Sequence, residues 1–188
     1  MRIISLLLLV LVSGSLQGCF PVAVVGVGTG VMMAQDRRTS GAYVEDEAIE
    51  DKASSRIANQ LKKDVHVNVT SFNRNVLITG EAQSNEVKTE VGRIVSGIEN
   101  VRNVNNELVV SGPTSLTSRS SDSMITSDVK LRFMSDKRFS ADRVKVVTEN
   151  GTVFLMGIVK RAEADAATEV ASTTSGAQRV VRLFEYLD

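Results

Sequence analysis

The stretch VKVVTENGTVFLMGIV, Val144 to Val159, sets two β-rich runs on either side of the dipeptide Asn150-Gly151. Both of these residues tolerate positive φ, and Asn-Gly between apolar runs is a strong hairpin signal. The second run, VFLMG (Val153 to Gly157), has a counterpart in VLITG (Val76 to Gly80). The likeness continues downstream, where TEVGRIVSGIENV (Thr89 to Val101) lies on TEVASTTSGAQRV (Thr168 to Val180) with Thr, Glu, Val, Ser, Gly and Val in register. Upstream, IANQLKKD (Ile57 to Asp64) lies on VKLRFMSD (Val129 to Asp136), which leaves KRFSA (residues 137–141) as an insertion in the second copy. Such self-similarity is the mark of a repeat. Between the copies, SGPTSLTSRSSD (residues 111–122) is rich in Ser and Thr around Gly112 and Pro113 and reads as a linker.

Each copy predicts the same order of elements. A first amphipathic helix carries Ala53, Ile57 and Leu61 in copy one and Ile125, Val129 and Phe133 in copy two, spaced four apart. A strand follows, in which Val65, Val67 and Val69 alternate with His66, Asn68 and Thr70. The turns are FNRN and TENG, and VLITG or VFLMG forms the second strand. A second helix carries Val87, Val91 and Ile94 on one face, with Ser84 as its cap and Gly97 past its end; its counterpart ends at Gly176. A last strand pairs Val104 and Leu108 with Leu183 and Leu187. The order is αββαβ, an α+β fold of two tandem modules, each with two helices on one face of a three-stranded mixed sheet. Modules of about 65 residues lie near the lower limit for a self-sufficient core, so the copies are expected to support each other.

The N-terminus carries a different kind of signal. Arg2 precedes the apolar run IISLLLLVLVSGSLQG, which is short for a membrane span and has the parts of a secretory signal. It ends at Cys19, the sole cysteine of the chain. LQGC resembles the lipobox of bacterial lipoproteins, with Leu16 at its first position, Gly18 before the cut and Cys19 as the lipid attachment residue; an ordinary cleaved signal beside a cysteine is the alternative. Each buried acyl methylene contributes about 0.8 kcal/mol, and two chains make anchoring stable. Phe20 stands where lipoproteins retained at the inner membrane carry Asp, so the resemblance implies transfer to the outer membrane, facing the periplasm. The following FPVAVVGVGTGVMMAQ has G-x-G-x-G at Gly26, Gly28 and Gly30, not the dinucleotide fingerprint, and reads as an apolar tether.

These features give residues 1–18 as signal peptide, 19–45 as lipidated N-terminus and tether, 46–110 as first module, 111–122 as linker and 123–188 as second module. Two αββαβ modules, each with a glycine ending its second strand and Ser-Gly ending its second helix, resemble BON domains, and VKVVTENGTVFLMGIV is the most specific segment. With the lipobox and tether, the whole chain is similar to dual-BON outer-membrane lipoproteins. That resemblance implies a non-catalytic module that binds phospholipid, a role in outer-membrane integrity and envelope stress, and enrichment at the division site through anionic lipid.

The residues themselves speak against other classes. His66 is the one histidine and lies on the polar side of a strand, which reads as a solvated surface position; Cys19 is committed to lipid. No metal or cofactor is therefore expected. The carboxylates of EDEAIED at the first helix favour its dipole and solubility. Lys and Arg number 22, as do Asp and Glu, and aromatics make up 4%, which argues against nucleic acid. No catalytic constellation is present, so the chain is expected not to be an enzyme.

The two copies differ on the first helix. Opposite its core stripe, copy one has Lys52, Asn59 and Lys62 where copy two has Met124, Leu131 and Met134, with Lys130, Lys137 and Arg138 nearby. Apolar residues flanked by cations suit a helix that dips into headgroups and attracts anionic lipid. Those six residues are the expected phospholipid contacts; packing on the other module and core membership are the alternatives for this face. A second difference is Val180, Phe184 and Tyr186 in copy two against Val101, Asn105 and Glu107 in copy one, which marks these three as the expected inter-module contact, with an edge strand bearing stray exposed aromatics as the alternative. The functional alternative to lipid binding is a lipid-tethered scaffold that docks on another outer-membrane or envelope protein through the same apolar face.

Overall fold

The structure is a computed structural model that describes residues 36–61, 65–112 and 114–188. Cys19, the signal, the tether up to residue 35, Lys62 and Pro113 lie outside the described residues. Module one consists of α1 (Ser40–Leu61), β1 (Val65–Phe72), β2 (Asn75–Ala82), α2 (Asn85–Ser96), β3 (Asn103–Asn106) and a two-residue β4 (Val109–Val110). Module two consists of α3 (Leu116–Ser135), a 3-10 turn (Ala141–Arg143), β5 (Val144–Glu149), β6 (Thr152–Val159), α4 (Arg161–Ser172) and β7 (Arg179–Tyr186). In each, the hairpin is antiparallel and the last strand joins its second strand in parallel, giving a mixed sheet. This is the expected α+β order, twice. Helix α3 begins at Leu116, so most of the stretch 111–122 is helix rather than linker.

Both hairpins turn through two residues of positive φ, Asn73 (50°) with Arg74 (65°) and Asn150 (49°) with Gly151 (71°). That geometry matches the right-handed twist of the strands. A buried aspartate of the first helix clamps each turn. Asp122 accepts the amides of Asn150 and Gly151 at 2.9 and 2.8 Å. Asp46 accepts those of Asn73 and Arg74 at 2.8 and 2.7 Å, together with the Ser71 hydroxyl at 2.7 Å. Asp46 is 2% exposed, so its part of EDEAIED serves the fold rather than solubility.

These aspartates reset the alignment of the copies. Asp46, Ile49, Ala53 and Ile57 are buried in α1, and Asp122, Ile125, Val129 and Phe133 in α3, each pair 76 residues apart. The expected pairing of the first helices is therefore one turn out, and the apparent KRFSA insertion shrinks to a single residue, since the hairpin turns lie 77 apart. The second helices follow the same spacing. Val91, Ile94, Val95 and Ile98 correspond to Ala167, Val170, Ala171 and Thr174, all buried. Helix α4 ends at Ser172, capped by Thr173, rather than at Gly176, and Gly176 (φ 86°) is the counterpart of Asn100 (φ 67°).

Helices cover one face of each sheet; the other faces pack on each other. Phe72 and Leu77 of module one and Phe154 and Met156 of module two form a buried cluster, flanked by Val147, Ile158, Val181 and Leu183. Around it run Lys145–Glu50 (3.0 Å), Asn68–Glu149 (3.0 Å), and bonds from Asn73 and Asn75 to Glu185 (2.8 and 2.6 Å). The expected inter-module residues are corrected here. Val180 and Phe184 pack against the core of their own module, and Tyr186 receives Arg161 over its ring at 4.8 Å. Their neighbours Val181 and Leu183 face module one instead. Nor do Leu183 and Leu187 match Val104 and Leu108. The first lies at the inter-module face and Leu187 is exposed, while Val104 and Leu108 belong to the core of module one. His66 is corrected too: half-buried, it meets the Glu81 carboxylate across the hairpin at 3.1 Å.

Candidate functional site

Helix α3 keeps its core residues at three- and four-residue spacing, so its remaining side chains must face outward. Met124, Leu131 and Met134 are 66, 63 and 74% exposed, and Leu116, which the sequence reading missed, is 82% exposed. At 3.6 residues per turn, Leu116, Ser120, Met124, Ser127, Leu131 and Met134 share the side away from the core. The hydroxyls between them are partly turned inward: Ser123 donates to the Arg119 carbonyl at 3.0 Å and Ser127 to that of Ser123 at 2.9 Å. Back-bonded serines offer fewer free donors outward, so the stripe is less polar than its sequence suggests.

Of the three expected outcomes for this face, core membership is excluded by exposure. Packing between the modules uses the sheets, not this helix. Among the described residues, the corresponding side of module one's first helix exposes a single large apolar side chain, Val44. At the positions matching Met124, Leu131 and Met134 it carries Ala48, Ser55 and Ala58, not the Lys52, Asn59 and Lys62 of the sequence-based pairing.

The cations divide into two groups. Lys130 and Lys137 are exposed and have no ion pair or hydrogen bond among the described residues. Arg138 is committed, pairing with Asp136 at 2.8 Å and Glu169 at 2.7 Å. Its hydrogen bonds hold the Asp136 carboxyl below the usual carboxylate range. Arg132 is likewise occupied. It donates to the Val170 carbonyl and the Thr174 hydroxyl at 2.9 and 2.7 Å, satisfying groups at the end of α4. The face thus presents four apolar side chains and two uncommitted ammonium groups.

At its C-terminal end the stripe meets a cleft of about 370 Å³. Lys130 and Met134 form one wall, and Arg38, Tyr43 and Phe72 of module one form another. The Arg38 guanidinium lies 4.1 Å above the Phe72 ring and bonds Asp46 at 2.9 Å. Just before it, Arg37 crosses to module two and binds Glu163 through both nitrogens at 2.6 and 3.0 Å. Among the described residues, no group of three or more His, Cys, Asp or Glu could hold a metal, and no helix is long and apolar enough to cross a membrane.

Comparison with known proteins places this geometry. The BON domain profile matches residues 45–112 and 121–188, one match on each module. The chain is 38% identical over 175 residues to the outer membrane lipoprotein DolP of Haemophilus influenzae, covering 92% of this chain and 91% of that one. It is 33% identical over 154 residues to the 21 kDa hemolysin of Actinobacillus pleuropneumoniae, covering 81% and 79%. Among solved structures, the C-terminal domain of CdsD from Chlamydia trachomatis covers 70% of this chain and 96% of its own at 11% identity, with a TM-score of 0.31, a likeness too distant to inform the site. Two profile matches that coincide with the two αββαβ modules, and similarity to DolP over nearly the whole length, establish that the chain belongs to the BON-domain family.

Proposed function

We propose that the protein is a non-catalytic outer-membrane lipoprotein, anchored through acylated Cys19 and facing the periplasm, that binds anionic phospholipid through the outward face of α3. One observation carries the reading: Leu116, Met124, Leu131 and Met134 stand exposed along one helix side, with Lys130 and Lys137 beside them unpaired among the described residues. A contiguous row of exposed apolar side chains marks an interaction surface. A helix lying in the interface plane gains from burying them among acyl chains, and each basic residue near an anionic leaflet adds about 1 kcal/mol. The lipobox-like LQGC and the similarity to a DolP support the location. A part in outer-membrane integrity, with enrichment at division sites through anionic lipid, belongs to the same reading.

The test is flotation of residues 36–188, without lipid, against anionic and neutral vesicles, beside Met124→Glu and Leu131→Glu. Flotation of the wild type with anionic vesicles alone, lost in both folded variants and weakened by salt, is the expected result. A wild type that stays at the bottom would reassign the face to docking on another envelope protein and leave membrane attachment to Cys19.

A further inference from the structure

The cleft beside Met134 is built by both modules, and among the described residues nothing fills it. Its wall is apolar in the larger part: Tyr43, Met134 and Ala141 reach it, backed by the buried Phe72, Phe133 and Val144. Its volume, about 370 Å³, falls at the small end of ligand sites. Two of its cations are committed, Arg38 to Asp36 and Asp46 and Lys145 to Glu50. Three charged side chains of the lining have no partner among the described residues: Lys130 of α3, Glu47 of α1 and Asp142 of the 3-10 turn. A partly apolar slot whose rim offers one ammonium and two carboxylates unpaired among the described residues complements an amphipathic ligand that carries both signs.

Continuity with the outward face selects that ligand. Lys130 and Met134 belong to the exposed side of α3 and to the cleft at once, so a lipid held at the face has the slot within reach. We propose that the cleft takes one acyl chain of a phospholipid whose headgroup carries an ammonium beside its phosphate. Lys130 meets the phosphate, and the carboxylates of Glu47 and Asp142 meet the ammonium. The proposal rests on the membrane reading of α3 for delivery of the lipid, yet it uses other residues and favours another headgroup. It also gives module one a part in lipid binding, since Tyr43, Glu47 and Phe72 are wall residues that a helix face alone would not bring to lipid.

The experiment uses the full, lipidated chain in anionic, phosphatidylglycerol-rich vesicles that contain a small share of a phospholipid with a photoreactive group near the end of one acyl chain. That probe carries either a phosphoethanolamine or a phosphoglycerol headgroup. Labelled residues are mapped by mass spectrometry. The expected map has label on the α3 face with both probes, and label at Tyr43 and Val144 mainly with the phosphoethanolamine probe. Ala141→Trp, which fills the slot, abolishes the Tyr43 label and spares that at Leu131. Label on α3 with none at Tyr43, or Tyr43 label indifferent to headgroup or to Ala141→Trp, overturns the cleft site and leaves the membrane reading standing. No label on α3 or in the cleft overturns both. The wild-type comparison of the two probes decides the matter even if Ala141→Trp does not fold.

Discussion

Asp46 and Asp122 are carboxylates in places where charge is costly, and both are kept because a turn needs them. A two-residue turn of positive φ leaves amides that the ladder does not satisfy, and a buried amide without a partner costs about 1–3 kcal/mol. Module one, whose turn is Asn73-Arg74 and lacks a glycine, uses three bonds to its aspartate; module two, with Asn150-Gly151, uses two. Asp122→Ala should therefore lower stability by about 2–3 kcal/mol, read as a reduced urea midpoint, and Asp122→Asn by less. Gly80 answers a different constraint. At φ 114°, a Cβ there would lie 2.1 Å from the His66 carbonyl oxygen. Gly80→Ala should cost about 2–3 kcal/mol in strain, visible as a fall in thermal midpoint. Glu163 shows how a charge is held in place. Burial opposes its ionisation, but hydrogen bonds from Arg37, the Lys160 amide and Arg143 outweigh that and bring its pKa down to about 2. A depressed carboxylate contributes stability above its unfolded pKa, near 4.5, and loses it as pH falls through the folded value. Wild type should thus lose stability between about pH 4.5 and pH 2 by a margin that is missing in Glu163→Gln, measured by denaturant titration across that range.

At the scale of elements, helices and strands respond differently to the same shift. The sequence pairing of the first helices is four residues out and that of the last segments three. In a helix, such a shift moves a residue roughly one turn and keeps it on nearly the same face. The core stripes Ala53, Ile57 and Ile125, Val129, Phe133 were therefore legible in spite of the slip. In a strand, an odd shift exchanges the two faces. That is why Val180 and Phe184 were expected to point at module one when Val181 and Leu183 do so. The partner of His66 and the buried role of Asp46 were not legible, because each depends on a contact between elements that local pattern does not encode. Leu116 could have been found: it lies on the same helical side as Met124 once the helix is allowed to begin before residue 122. Because that side of α3 contributes nothing to the core, Leu131→Glu should change stability by no more than about 0.5 kcal/mol. A thermal midpoint close to wild type would confirm that it is a clean probe of binding.

For the whole molecule, two cores that are small alone share a third between their sheets. Phe72, Leu77, Phe154 and Met156 are each no more than 4% exposed, and a buried aromatic or methionine side chain is worth about 1.5–3 kcal/mol against exposure. The two modules should unfold together in a single calorimetric transition. Leu77→Asp combined with Met156→Asp should separate that into two transitions and enlarge the particle in X-ray scattering; a single unshifted transition would refute the coupling. Arg37, bonded to Glu163 across the modules, adds a tie at the point where the described chain begins.

The sequence by itself determined the order αββαβ, its duplication, the hairpins and the exposed apolar side of the second module's first helix. These follow from periodicity and turn chemistry, which act over a few neighbouring residues. Only the tertiary structure decided which strand face joins the modules, which aspartates are buried, which cations are free and where the cleft lies. Each of those depends on side chains far apart in sequence competing for the same space and the same hydrogen bonds.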